Sequence, residues 1–331
     1  MTVPPAFVAT ARCLWQWEWQ RLMAGLAPAD RDGNFQRRPS EFAGAGLESQ
    51  LEQALQGAGR LQLVVGRSCP WAHRAWLVWR LRQLEPSVQL LIVEPDPKAG
   101  RWVFPEPRFG CNSLAELYQL CGAKSKARAT VPLLLHPGDG SQKASIINNE
   151  SAELIEILNF LPSPSSYAPN LLPSQRLVDI NHWINLMQND INDGVYRCGF
   201  ARNQAAYNRA EAALFAGLAQ LEGALLKQGP WLCGSELTMA DVRLFPTLIR
   251  WEQVYAPLFR CSRSPLFSFP ALWAWRARFC SLPGVLDTCY PAAWRRDYFG
   301  ALFPLNPSLI VPAGPSSSEE LFALIQATMK P

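Results

Sequence analysis

The sequence predicts an α/β unit followed by an all-helical one. Three observations carry this. Short apolar runs alternate with helical periods between positions 61 and 161. A Pro- and Ser-rich stretch, SPSSYAPNLLPS at 163–174, interrupts the pattern. Beyond it, helical spacing dominates.

Residues 1–60 form an N-terminal extension. Its LWQWEWQ alternates Trp15, Trp17 and Trp19, which fits a strand or two faces of a helix. LESQLEQALQGAG (47–59) reads as a helix ended by Gly57 and Gly59. LQLVV (61–65) is a short apolar strand. PWAHRAWLVWRLRQL (70–84) carries Trp71, Ala75, Val78 and Leu81 at helical spacing. VQLLIV (88–93) suits a strand buried on both faces. Residues 95–112 read as a Pro- and Gly-rich loop, and LAELYQLC (114–121) as a short helix. VPLLLH (131–136) and ASII (144–147) are strands joined by the turn PGDG. ESAELIEILNFL (150–161) is a helix with acids in its first turn, where the helix dipole favours them. This order, with parallel pairing first and an antiparallel hairpin last, is the thioredoxin-like arrangement, assigned to 61–162.

After the linker at 163–174, an all-helical domain is expected over 175–300. NQAAYNRAEAALFAGLAQLEGALLK (203–227) places Leu214, Leu218, Leu221 and Leu225 on one stripe. ELTMADVRLFPTLIRWEQV (236–254) opens with Thr238 and Asp241, a variant of the capping box. The tail, 301–331, is Pro-rich and offers a short helix at about 319–328.

Composition narrows the function. Net charge is +4 with no block of like charges. QRRP (36–39) and WRRD (294–297) read as solvated faces, so no nucleic-acid partner is expected. No apolar run approaches the roughly eighteen residues of a membrane span. The first residues lack the basic-then-apolar pattern of a secretory signal, so a cytoplasmic protein is expected. The cysteines are Cys13, Cys69, Cys111, Cys121, Cys198, Cys233, Cys261, Cys280 and Cys289. They include no C-x2-C pair, and only three histidines accompany them, so neither zinc nor a disulfide framework is expected. Most should be small buried hydrophobes.

Cys69 stands apart. SCPWAHR (68–74) places it between the first strand and first helix, with Pro70 suited to the first helical position. Backbone N–H groups there point at the sulfur, and such cysteines have pKa values lowered to about 3.5–7.5. A C-x-x-C motif would carry its second thiol at 72, but Ala72 is there. A monothiol cannot resolve its own mixed disulfide. The second thiol must come from outside, and glutathione is the obvious donor. Its pocket needs backbone to pair with the peptide, which a cis-proline opening the third strand supplies. TVP (130–132) is placed for that, with the N–H and C=O of Val131 expected free. The Ser151 hydroxyl at a helix start can bind the γ-glutamyl carboxylate, and Glu150 its ammonium. Trp102 or Arg128 could hold the glycine end.

CPWAHR (69–74), RATVP (128–132), NNESAELI (148–155), NDGVYRCGFA (192–201), LTMADVRLF (237–245) and NPSLIVPAGP (306–315) occur in that order. In these motifs the chain resembles the glutathionyl-hydroquinone reductases, the Xi-class, omega-like glutathione transferases. The resemblance implies a thioredoxin-like N-terminal domain, an all-helical glutathione-transferase C-terminal domain and a homodimer. It also implies reduction of glutathionyl-hydroquinones with release of glutathione disulfide. The family's nucleophile falls on Cys69 and its glutathione-binding tryptophan on Trp102. The backbone-pairing segment falls on Arg128, Ala129, Thr130 and Val131, and the acid–serine pair on Glu150 and Ser151. Its proton-donating tyrosine falls on Tyr196, with further tyrosines on Tyr255 and Tyr298 that could donate hydrogen bonds to the thiolate. Two rival readings use the same residues differently: an omega-like thiol transferase, and a non-catalytic dimeric module of the same fold.

Overall fold

The structure, a computed structural model, describes residues 3–37, 40–43, 46–56, 61–96, 98–124, 127–138 and 143–328. The tryptophan-rich segment is a helix, α1 (Pro5–Leu26), with proline at its first position. Four-residue helical spacing decides which tryptophans pack. Trp19 Nε1 donates to the Pro304 carbonyl at 3.0 Å and Trp15 meets Phe303 edge to face, while Trp17 faces outward. The chain then turns at Asp30, whose carboxylate accepts from the backbone N–H of Asp32 and Asn34. Helix α2 (Leu47–Leu55) follows; the glycines expected to end it, Gly57 and Gly59, lie outside the described residues.

Next come β1 (Leu61–Gly66), α3 (Pro70–Leu81) and β2 (Val88–Asp96). The stretch read as a loop at 95–112 contains two strands, β3 (Arg101–Arg108) and β4 (Cys111–Ser113). Their signal was hidden because β3 is largely exposed and carries two prolines. Pro105 and Pro107 fall between the paired positions Val103 and Arg108, where the register shifts and ladder N–H groups are not required. Helix α4 (Leu114–Leu120), β5 (Leu133–His136), β6 (Ser145–Asn148) and α5 (Ser151–Phe160) complete the region. Of the PGDG turn, Asp139 and Gly140 lie outside the described residues. The sheet runs β4-β3-β2-β1-β5-β6. β1 pairs parallel with β2 and antiparallel with β5, and β5 pairs antiparallel with β6, as the sequence order implies.

Helices α6 (Leu177–Met187), α7 (Gly194–Phe200) and α8 (Gln204–Gln228) follow, with a π-turn at Gln188–Asn192. Leu214, Leu218, Leu221 and Leu225 of α8 are all buried. The expected helix at 236–254 is shorter: α9 (Met239–Leu248) ends, and a π-turn at Trp251–Tyr255 leads into α10 (Ala256–Phe259). Pro246 inside α9 lacks an N–H and disrupts the last turn. The start of α9 is as expected. The Asp241 carboxylate accepts from the N–H of Thr238 and Leu232, both at 3.0 Å, and from Trp275 Nε1 at 2.8 Å. Helices α11 (Pro270–Cys280), α12 (Pro291–Ala301) and α13 (Ser318–Ala327) finish the chain. Helix α3 packs on β1 and α5 on one side and on α9 on the other, so it is buried nearly all round. That places its first turn, with Cys69, where the sheet meets the helices.

Candidate active site

Cys69 is the N-cap of α3, and Pro70 occupies the first helical position. The turn from β1 is closed by the Cys69 N–H to the Gly66 carbonyl at 3.1 Å. Sγ lies 3.5 Å from the Ala72 N–H and 3.5 Å from the Val131 carbonyl. The geometry is that of a thiol aimed by a helix start. The expected lowering of its pKa is not what the surroundings give. Burial pushes the Cys69 thiol up; the N–H groups of Ala72 and Trp71, then Arg250 and Arg37, oppose this without cancelling it.

Cys69 opens onto a cavity of about 640 Å3. One wall is made by Trp102, Arg128, Thr130, Val131, Pro132, Asn149 and Ser151. The Val131–Pro132 bond is cis. The Val131 carbonyl is not free as expected, because it faces the Cys69 thiol. Trp102 lies across the end of β1, where a Cβ on Gly66 would come within 2.6 Å of the indole, so only glycine fits there. Two expected wall residues differ. Ala129 packs toward the core, while Glu150 turns away to cap α5 through the Ala152 N–H at 3.3 Å. Buried Ser151 follows as the first residue of α5.

The opposite wall is aromatic. Tyr196 and Phe200, from α7, and Phe35 line it. The three tyrosines named from the sequence do meet. The Tyr196 and Tyr298 hydroxyls are 2.6 Å apart, and the Tyr255 ring packs against both, with ring centroids 5.9 and 6.1 Å away. The Tyr255 hydroxyl is buried without a hydrogen-bond partner at standard distance, and burial pushes its pKa up, so it stays a neutral phenol. No hydrogen bond joins Tyr255 or Tyr298 to Cys69, because Tyr298 is committed to Tyr196. Burial first, then Tyr255 and Tyr298, push the Tyr196 phenol well above its ordinary value, so it keeps its proton.

The N-terminal extension supplies what sequence reasoning missed. Leu26, Pro28, Phe35, Gln36, Arg37, Ser40 and Glu41 all line the cavity. Arg37, read as part of a solvated run, stacks 3.7 Å from the Trp71 ring centroid and lies 3.4 Å from Asp193 and 3.8 Å from Glu150. Ser40 Oγ donates to Glu150 at 2.7 Å. The Phe42 N–H donates to the Asn149 side chain at 3.0 Å. The carboxylate expected to receive a ligand ammonium is thus already engaged by the chain's own extension. WRRD also departs from a solvated face: Arg295 is buried and donates to Gln253 at 2.6 Å. The Arg–Arg–Pro of QRRP beside a lone aromatic at 35 was the available signal. Its partners lie far along the chain, so spacing could not assign it.

Cys111, Cys198, Cys233, Cys261, Cys280 and Cys289 are buried, whereas Cys69 faces the cavity. Among the described residues, no group of three or more His, Cys, Asp or Glu could hold a metal ion, and no helix is long and apolar enough to cross a membrane.

A mixed sheet with a cysteine at the start of α3, docked on a helical bundle, is the architecture of the glutathione-transferase class. Two family models match the chain: "Glutathione S-transferase, N-terminal domain" over residues 68–160, and "Glutathione S-transferase, C-terminal domain" over 204–278. The chain is 31% identical to the glutathionyl-hydroquinone reductase YqjG of Escherichia coli, over 86% of this chain and 89% of the relative. It is 32% identical to the glutathionyl-hydroquinone reductase PcpF of Sphingobium chlorophenolicum, over 86% and 90%. The crystal structure of glutathione-S-transferase Xi from Phanerochaete chrysosporium superposes with a TM-score of 0.77 at 30% identity, covering 88% of this chain and 95% of that one. The chain therefore belongs to the glutathionyl-hydroquinone reductase family of Xi-class, omega-like glutathione transferases.

Proposed function

We propose that this protein is a glutathione-dependent reductase of glutathionyl-hydroquinones, acting through Cys69 and assembling as a homodimer. The observation that carries the reading is a single aimed thiol, with Ala72 at the resolving position, opening on a cavity half peptide-like and half aromatic. Glutathione fits the wall of Trp102, Arg128, Val131 and Ser151. The aryl group fits between Phe35, Tyr196 and Phe200.

Tyr196, protonated and hydrogen-bonded to Tyr298, gives a proton to the sulfur-bearing ring carbon and regains one from the ring hydroxyl, which leaves the keto tautomer. The Cys69 thiolate attacks the glutathione sulfur. A disulfide forms, the carbon–sulfur bond breaks, and its electron pair restores the aromatic ring as a phenolate. The phenolate takes the thiol proton of a second glutathione and leaves as hydroquinone. That glutathione, now a thiolate, attacks the mixed disulfide, releasing glutathione disulfide and returning Cys69 as the thiolate.

The test is turnover of a simple glutathionyl-hydroquinone with added glutathione, followed by chromatography. The expected products are hydroquinone and glutathione disulfide, absent with Cys69→Ala. Turnover of mixed disulfides alone would make the protein a thiol transferase, and no turnover of either would favour a non-catalytic module.

A further inference from the structure

Arg250, just after α9, is fully buried. Its guanidinium meets only neutral acceptors. Nη1 donates to the Pro246 carbonyl at 3.0 Å and to Nδ1 of His73 at 2.8 Å, and Nη2 reaches the Arg67 carbonyl at 3.4 Å. The Trp294 ring centroid lies 4.2 Å from the guanidinium carbon. Nε has no partner. Among the described residues no carboxylate forms an ion pair with it. An unpaired buried cation is costly, and its retention points to an anion that forms nearby.

His73 fixes the cation in place. The Thr288 hydroxyl donates to the Val285 carbonyl at 2.6 Å, so it presents a lone pair to His73 Nε2 at 2.8 Å. Nε2 therefore carries the proton, and Nδ1 is left to accept from Arg250. Burial first, then Arg250, hold the His73 imidazole well below its ordinary value, so it is neutral at working pH. Through Arg67 and His73 the guanidinium grips both sides of the turn that presents Cys69.

The acidic protons in its field belong to Cys69, Tyr255, Tyr298 and Cys289, and of the two thiols Cys289 is buried while Cys69 opens on the cavity. Burial opposes ionisation of each, and Arg250 favours it. The other groups around Cys69 are Arg37 from the extension, Arg74 on α3, and Tyr196 from α7. Arg37 is offset by Glu150 and Asp193, and Arg74 stacks on Trp71. Of the two cations that favour the Cys69 thiolate, Arg37 and Arg250, only Arg250 is without a carboxylate partner among the described residues.

We propose that Arg250 is a positioning residue for the nucleophile: held by neutral His73 beneath residues 67–73, it supplies the counter-charge for the Cys69 thiolate. This rests on the reading of Cys69 as the nucleophile, whichever sulfur it attacks.

The test is the pH profile of Cys69 alkylation by iodoacetamide on the full chain, read on the Cys69 peptide by mass spectrometry. Arg250→Met should move the midpoint up by at least one pH unit, slowing alkylation on the acidic limb about tenfold, with the alkaline plateau unchanged. Arg250→Lys, which keeps the charge, should restore most of the shift. If Arg250→Met does not fold, Arg250→Gln serves: it keeps an N–H donor in the guanidinium's place but removes the charge, and should also raise the midpoint. An unmoved midpoint in either folded variant, or Lys behaving like Met, overturns the proposal. No glutathione substrate is involved, so the functional reading is judged separately: a wild-type Cys69 no more reactive than the buried cysteines would sink that reading instead.

Discussion

The hydroxyls of Tyr196 and Tyr298 meet at 2.6 Å, joining α12 to the α7 tyrosine that lines the cavity of Cys69. One of the two must donate, so each fixes the other's orientation. Removing the Tyr196 hydroxyl should cost glutathionyl-hydroquinone turnover about a hundredfold or more, the usual worth of a positioned acid. Disulfide exchange needs no carbon protonation, so Tyr196→Phe should keep its turnover of a glutathione mixed disulfide. Steady-state assays of both substrates on one preparation decide this; equal loss on both would remove Tyr196 from the acid role. Tyr298→Phe should show the same selectivity, smaller in size.

The two half-reactions should separate. Mixed with substrate and no added glutathione, the protein should release one hydroquinone and hold one glutathione on Cys69. Peptide mapping checks the position. A glutathione found on any other cysteine would contradict the assignment.

The extension should matter to binding. Arg37→Ala and Ser40→Ala remove the contacts that these two residues make with Glu150. Their combined effect should be a several-fold rise in KM for glutathione, with a smaller change in kcat. Kinetics at saturating aryl substrate resolve the two.

The same contacts carry a pH signature. Burial raises the Glu150 pKa, but Ser40, Arg37 and the Ala152 N–H outweigh it, and the net direction is down. A carboxyl depressed in the folded state stabilises the docked extension above its unfolded pKa. That contribution is lost as pH falls through the depressed value, below the ordinary carboxylate range. The protection of residues 40–42 against hydrogen exchange, relative to the intrinsic rate at each pH, should therefore fall in acid, and Glu150→Gln should abolish the dependence. An acid-insensitive wild type would show that Glu150 does not anchor the strap.

Asp241 should be a pillar of stability. Replacing it with alanine strands the Thr238 and Leu232 N–H groups and Trp275 Nε1 in a buried place. A loss of about 3 kcal/mol is expected from unsatisfied buried donors. Urea unfolding followed by tryptophan fluorescence measures it, and a loss under 1 kcal/mol, at roughly the level of an exposed cap, would contradict the buried role.

What the sequence determined by itself is what short-range rules govern. Cys69 before Pro70, the Thr238–Asp241 box and the leucine stripe of α8 each depend on neighbours within a turn or two, so they were legible. So were the strands with continuous apolar runs, and the cis proline's place before β5. The tyrosines were named one by one, but nothing in their spacing gave the 2.6 Å contact. Tertiary structure decided the rest. β3 forms despite its prolines because β2 and β4 pair with it on either side of them. Arg37 left solvent because Trp71, Asp193 and Glu150, scattered over three separate segments, converge on it. Arg250 became a buried, unpaired cation because α9 was halted by Pro246 and packed against α3. Burial and long-range charge are properties of the folded surroundings, and no window of sequence contains them.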